Sequence, residues 1–175
     1  CSIARPPGPP TSFKVIGRDL KVDLLGPALT STIPNTTKRI PELDAHATTL
    51  PFLDYLITES WNTVIIGRDH LIPVRCPPPA RYCFHKLVVA DMRSGLENPK
   101  KDKDTAQAGI LAAILLEEDP DSLVEAANAM TSTMFKHAKK ALPQLEKLLA
   151  GQYPVLSSSL CRIRRHIRTL GNAGL

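Results

Sequence analysis

The sequence predicts an α+β protein, with short strands in its first half and helices in its second. Three observations carry that reading. Apolar runs at Phe13–Ile16 and Lys21–Leu25, and again at Val64–Ile66 and Leu71–Val74, come in pairs. Each pair is joined by a turn-forming segment, Gly17-Arg18-Asp19 or Gly67-Arg68-Asp69-His70, which is the pattern of a hairpin. After Pro77-Pro78-Pro79 the apolar spacing becomes helical, and start and stop signals recur. Strands followed by helices, rather than alternating with them, give the α+β order.

Taken in order, residues 1–11 are Pro-rich and read as a flexible lead-in. Residues 26–50 hold prolines, glycines and many threonines, and read as a long irregular connection. Pro51 to Ser60 fits a short helix or a strand. Ala80 to Met92 is periodic and unbroken, with Phe84, Leu87 and Val88 on the face expected to be buried. Lys100 to Asp104 reads as a charged loop, and Asp104 or Thr105 can cap a helix running to about Glu118. Asp119 is a second cap candidate, with Pro120 in the first helical position. Its helix is expected to continue towards Ala141, with a restart at Pro143 and an end at Gly151. Ser157 to Ser159 can cap a last helix that stops at Gly171. The expected organisation is a lead-in over 1–11, a strand-rich part over 12–76 and a helical domain over 77–175.

Bulk composition narrows the classes. A chain of 175 residues with 43% hydrophobic content suits one globular domain or two small ones. Aromatics are only 5%, so the core must be built from Leu, Ile, Val and Ala. The net charge of +5 is compatible with a polyanionic partner such as a nucleotide or RNA. The four cysteines, Cys1, Cys76, Cys83 and Cys161, contain no C-x-x-C pair and read as reduced thiols. There is no apolar run of membrane-spanning length and no signal-peptide pattern, so a cytoplasmic location is expected.

Few residues offer chemistry. Asp23 lies in Val22-Asp23-Leu24-Leu25, where alternation puts it on the face opposite Val22 and Leu24. An acid there is either a solvated edge residue or a metal or base carboxylate, and one carboxylate alone cannot hold Mg²⁺ for phosphoryl transfer. On the helix from Ala80, Tyr82, Lys86, Val89 and Arg93 share a face. Lys86 and Arg93 stand roughly 10 Å apart along the axis, so they could grip different phosphates or form a solvated basic stripe. Asp102-Lys103-Asp104 and Asp119-Pro120-Asp121 are D-x-D patterns, but each opens a helix, and a catalytic pair belongs in a strand after a Gly-Ser turn. Asp104 and Gln107 can instead form one polar edge. His85 has no second histidine at ligand spacing. The last helix would place Leu160, Ile163, Ile167 and Leu170 on one face, with Arg162, Arg164, Arg165, His166 and Arg168 over the rest. That basic side could touch RNA phosphates or be merely solvated.

Together, Ile72-Pro73-Val74-Arg75-Cys76-Pro77-Pro78-Pro79-Ala80-Arg81-Tyr82, His85-Lys86-Leu87-Val88-Val89-Ala90, Arg93, Lys103-Asp104 and Gln107-Ala108 resemble a bacterial family of nucleotidyltransferase-fold proteins. The shared order is a Pro-rich turn, an H-K-L helix, an arginine, and a K-D-x-x-Q-A helix. Lys21-Val22-Asp23-Leu24-Leu25 resembles the strand of that family's third carboxylate. A similar succession occurs in abortive-infection nucleotidyltransferase toxins. The resemblance implies the C-terminal part of a nucleotidyltransferase palm, a short mixed sheet, followed by a helical domain. It implies Asp23 as a catalytic and metal carboxylate, and Lys86, Arg93 and Asp104 as substrate-binding residues. It implies transfer of a nucleoside monophosphate from an NTP to an acceptor hydroxyl on protein or RNA, with Mg²⁺ as cofactor and an antitoxin-type protein as a partner. The family pattern also needs a Gly-Ser turn and D-x-D upstream of Asp23, and the 22 preceding residues contain neither. This chain alone is therefore expected to be inactive. The competing reading is a non-catalytic nucleotide- or RNA-binding module with the same fold.

Overall fold

A computed structural model describes residues 10–28, 36–93 and 99–152, together with Arg165. The chain divides into two compact units, Cys1–Asp54 and Tyr55–Leu175.

The first unit is built of strands. β1 (Ser12–Lys14) and β2 (Lys21–Asp23) form the expected antiparallel hairpin, with Ser12 opposite Asp23. Gly17 makes the turn at φ 76°, a left-handed conformation that costs glycine no steric strain. Both strands are exposed along their whole length. The stretch read as an irregular connection instead holds three strands. β5 (Ala45–Leu50) is the centre of a mixed sheet, with β3 (Leu25–Pro27) parallel on one side and β4 (Thr37–Ile40) antiparallel on the other. Ala45, Ala47 and Thr49 are buried in strict alternation. Threonine and a period of two favour a strand, and small side chains suit a crowded central one. The two hydroxyls of Thr36 and Thr49 meet at 2.5 Å, and Thr49 Oγ1 also donates to the Thr36 carbonyl.

The boundary between the units falls within α1 (Leu53–Ile57). The second unit continues with a hairpin of β6 (Trp61–Ile66) and β7 (Leu71–Cys76). Pro73, which has no N–H to donate, is tolerated because a two-stranded ribbon has only edges.

Four helices follow. α2 (Pro79–Met92) starts with proline in its first turn, where a missing N–H is harmless. It packs against α3 (Pro99–Glu118), α4 (Pro120–Asn128) and α5 (Ser132–Gln152). Leu87, Val88 and Cys83 on α2, Leu123 on α4, and Met134 and Leu149 on α5 are the largest of the fully buried side chains. Phe84 joins them, so the expected apolar face of α2 is the buried one. Gly109 lets α3 approach α5 closely, since a Cβ there would collide with the Leu148 side chain.

Helix boundaries differ from expectation at three places. Lys100 to Asp104 is helical, because Pro99 sits in the first turn of α3. The Asp119 side chain does accept from the Ser122 N–H, but α4 stops at Asn128. Thr131 then caps α5 by accepting from the Met134 N–H. α5 runs through Pro143 without a restart. Pro143 is exposed while Ala138, Ala141, Leu142 and Leu145 are buried, so packing of one face offsets the bond the proline removes. Residues 1–9 of the lead-in expected over 1–11 and the basic last helix, Arg165 apart, lie outside the described residues. No helix among the described residues is long and apolar enough to cross a membrane.

Candidate functional site

The second unit gathers Lys86, Arg93 and Asp104. Asp104, with Thr105 one of the two expected helix caps, does not start α3. It lies instead in the second turn of α3 with a side chain only 6% exposed, and it faces α2. Its Oδ1 accepts from Lys86 Nζ at 2.8 Å and its Oδ2 from Arg93 Nε at 2.8 Å. Lys86 and Arg93 lie seven residues apart on one face of α2, so a carboxylate between them can use both oxygens. Arg93 is the C-cap residue of α2, with an extended backbone. Lys86 Nζ also sits 5.2 Å from the centre of the Tyr82 ring, within cation–π range.

The three charges leave a surplus of one positive charge. Burial alone would raise the Asp104 carboxyl, but the bonds from Lys86 and Arg93 outweigh it and hold it below the usual aspartate range. Burial alone would lower Lys86, and Asp104 reverses that, so the ammonium is held above its ordinary value. Both cations stay partly accessible, with side chains 21% and 34% exposed. One turn beyond Asp104, Gln107 buries its Oε1 with no hydrogen-bond partner among the described residues. The two partly exposed cations, fixed by Asp104, thus form a cationic face suited to an anionic ligand.

Asp23 belongs to the first unit. It ends β2, where Ser12 Oγ donates to its carboxylate and Lys21 Nζ lies 3.0 Å away. The Ser12 bond, then the Lys21 bond, hold its carboxyl below the ordinary range although the strand is exposed.

A family model described as Nucleotidyltransferase matches residues 5–132. The chain belongs to this nucleotidyltransferase family. The match takes in both Asp23 and the Lys86–Arg93–Asp104 cluster and ends where α5 begins. Comparison with curated proteins and with solved structures gives no match. Family membership makes the protein nucleotidyltransferase-like and implies an NTP substrate. The family generally uses a divalent metal, and the described residues do not fit one. No group of three or more His, Cys, Asp or Glu side chains converges among them, and the Asp23 carboxylate is engaged by Ser12 and Lys21. No chemical step is therefore drawn through an ion.

Two further clusters escaped the sequence reading. Asp91, with a side chain 9% exposed, meets His137 Nδ1 at 2.8 Å and Lys140 Nζ at 3.2 Å, tying α2 to α5. An acid in the last turn of a helix opposes the helix dipole, and that misplacement was its signal. Arg81 donates to the Tyr55 carbonyl at 2.9 Å and to Glu59 at 2.6 Å, over the Tyr55 ring. It lies three residues before Phe84, in the core register of α2, where an arginine needs a buried partner.

Proposed function

We propose that this chain handles the nucleotide in a reaction that transfers a nucleoside monophosphate from an NTP to an acceptor hydroxyl on RNA or protein. One observation carries the reading: Lys86 and Arg93 are locked side by side on one buried carboxylate, and the cluster keeps a net positive charge. Two preorganised cations in a half-open site would neutralise phosphate oxygens without first having to be ordered. Asp104 would be the residue that positions them. In this reading it would act on the nucleotide through Lys86 and Arg93, where the family resemblance implies a substrate-binding role for it. Asp23 would serve as a carboxylate of the transfer step.

The second reading is a non-catalytic nucleotide- or RNA-binding module. It is favoured by the state of Asp23, a carboxylate occupied by a hydroxyl and an ammonium on an exposed hairpin.

Calorimetric titration with a non-hydrolysable NTP tests the common core of both. Saturable binding is expected, weakened about tenfold by Lys86→Ala, the scale of one charge-assisted contact. Unaltered affinity in both Lys86→Ala and Arg93→Ala would move the nucleotide away from this cluster. Protein-dependent labelling of RNA or protein by a labelled NTP separates the enzyme from the module.

A further inference from the structure

Away from the Lys86 cluster, the second unit holds a cleft of about 250 Å³ between the start of α2 and the second half of α4. Its floor is small and apolar, made by the buried Ala80 and Ala126, with Pro78 and the exposed Ala129 nearer its mouth. Its charged wall is Arg81, Glu59 and Glu125. We propose that this cleft binds a single guanidinium or ammonium group on a short alkyl stem.

Drug-sized ligands occupy pockets of about 300–1,000 Å³, whereas a dry cavity of about 150 Å³ holds a benzene ring. A volume between these matches one long side chain or a small amine. Two carboxylates against one guanidinium on its wall do not suit the NTP of the proposed reaction.

Charge selects a cation. Arg81 is 8% exposed, and its guanidinium is already committed to the Tyr55 carbonyl and to Glu59. Subtracting that pair leaves Glu125, an exposed carboxylate with no ion-pair or hydrogen-bond partner among the described residues. Glu59 keeps a side chain 68% exposed at the same wall. Its backbone stands at φ 62°, a left-handed conformation that costs a non-glycine residue energy and is held here against Arg81. Backbone polarity acts in the same direction. Glu125 and Ala126 lie in the last turn of α4 and Ala129 is its C-cap, so the negative end of the helix dipole borders the cleft. That turn contains no basic residue to offset either the dipole or Glu125. A ligand cation would offset both, while its stem covers the alanine floor.

Such a group can be an arginine or lysine side chain of a polypeptide, or a free alkyl amine or guanidine. The test is an amide-shift titration of the full chain by NMR, with N-acetyl-arginine methylamide as the peptide-like probe and butylguanidinium as the free one. Saturable shifts at Ala80, Ser122, Ala126 and Ala129 are expected with at least one, and the tighter probe identifies the source. Glu125→Gln should weaken that probe about three- to fivefold, the scale of an exposed ion pair. Ala129→Trp, which fills the mouth from an exposed position, should abolish binding without changing the melting temperature. Three results would each overturn the proposal: no saturable shifts with either cation, unchanged affinity in Glu125→Gln, or equal binding of neutral butanol.

Discussion

Asp23 and Asp104 each have two polar partners, and each carboxyl is held below the ordinary aspartate value. Their surroundings make them different objects. Asp104 is 6% exposed at its side chain and joins two helices through two cations. Asp23 is on a hairpin exposed on both faces, and its ammonium partner is its neighbour two residues back. The first arrangement is inseparable from the packing of α2 on α3. The second is local and solvent-screened, and such pairs contribute little to folding. The comparison teaches that a carboxylate's role in stability is set by burial and by the sequence distance of its partners. Its role in chemistry must be measured separately.

The largest effect expected from this contrast is at Asp104. Asp104→Ala leaves Lys86 and Arg93 facing each other without their counter-ion. A fully buried pair broken this way costs about 3–5 kcal/mol, and the partial exposure of both cations reduces that to about 2–3 kcal/mol. Urea unfolding should show the loss with an unchanged slope. A melting curve indistinguishable from the parent would mean that the α2–α3 contact does not depend on this carboxylate.

Lys86→Ala should cost less, about 1 kcal/mol, because Asp104 keeps Arg93. The double variant with Asp104→Ala should then be no less stable than Asp104→Ala alone, since the pair is already broken. Full additivity in that cycle would show that Lys86 and Asp104 are neighbours without coupling. Lys86 is thus expected to matter for stability as well as for nucleotide affinity, which a purely solvated lysine would not.

How far the sequence announced these features follows from what periodicity can encode. The β1–β2 and β6–β7 hairpins were legible because a Gly-Arg-Asp turn between apolar runs specifies them locally. The buried face of α2 was legible from its 3.6-residue spacing. β5 was missed although Ala45-His46-Ala47-Thr48-Thr49 alternates, because alanine carries little strand propensity and tertiary pairing decided it. The helical start at Lys100 was hidden by charge density, and Pro99 was the overlooked sign. Lys86, Arg93 and Asp104 could each be suspected singly. Their convergence could not be seen, because the register of α3 against α2 is set by tertiary packing such as the Cys83–Ala108 contact.

Acid should sharpen the contrast further. Asp104 and Asp91 both have carboxyls held below the ordinary value of 3.8: burial would raise each, but hydrogen bonds from Lys86 and Arg93 to Asp104, and with the His137 ring and Lys140 at Asp91, outweigh it. A lowered folded value means that their contribution is fully present above 3.8 and is lost as pH falls through the folded values. Melting temperature should therefore fall steeply below that range. Asp104→Asn should start lower and show a shallower acid limb, with Asp91 supplying the remainder. An unchanged acid slope in the variant would assign the acid sensitivity elsewhere.

The smallest effect on folding, and the most informative on chemistry, is expected at Asp23→Asn. The substitution keeps the shape and a hydrogen-bond acceptor for Ser12, and removes only the charge that Lys21 meets in solvent. Nothing in the core touches it, so the melting curve should superimpose on the parent's at neutral pH and at low pH alike. Under the enzyme reading, the same change should remove most nucleotide transfer in a form of the protein that shows transfer, because a carboxylate of that step needs its charge to take a proton or to face a cation. Under the binding-module reading, nucleotide affinity and every other readout stay as they were. The two measurements must be made together. A folded, fully active Asp23→Asn protein would reduce Asp23 to a hairpin residue and leave the Lys86–Arg93–Asp104 cluster as the part of the nucleotide site that remains assigned. A folded, inactive one would show that the exposed aspartate, the less important of the two for stability, is the more important for the reaction.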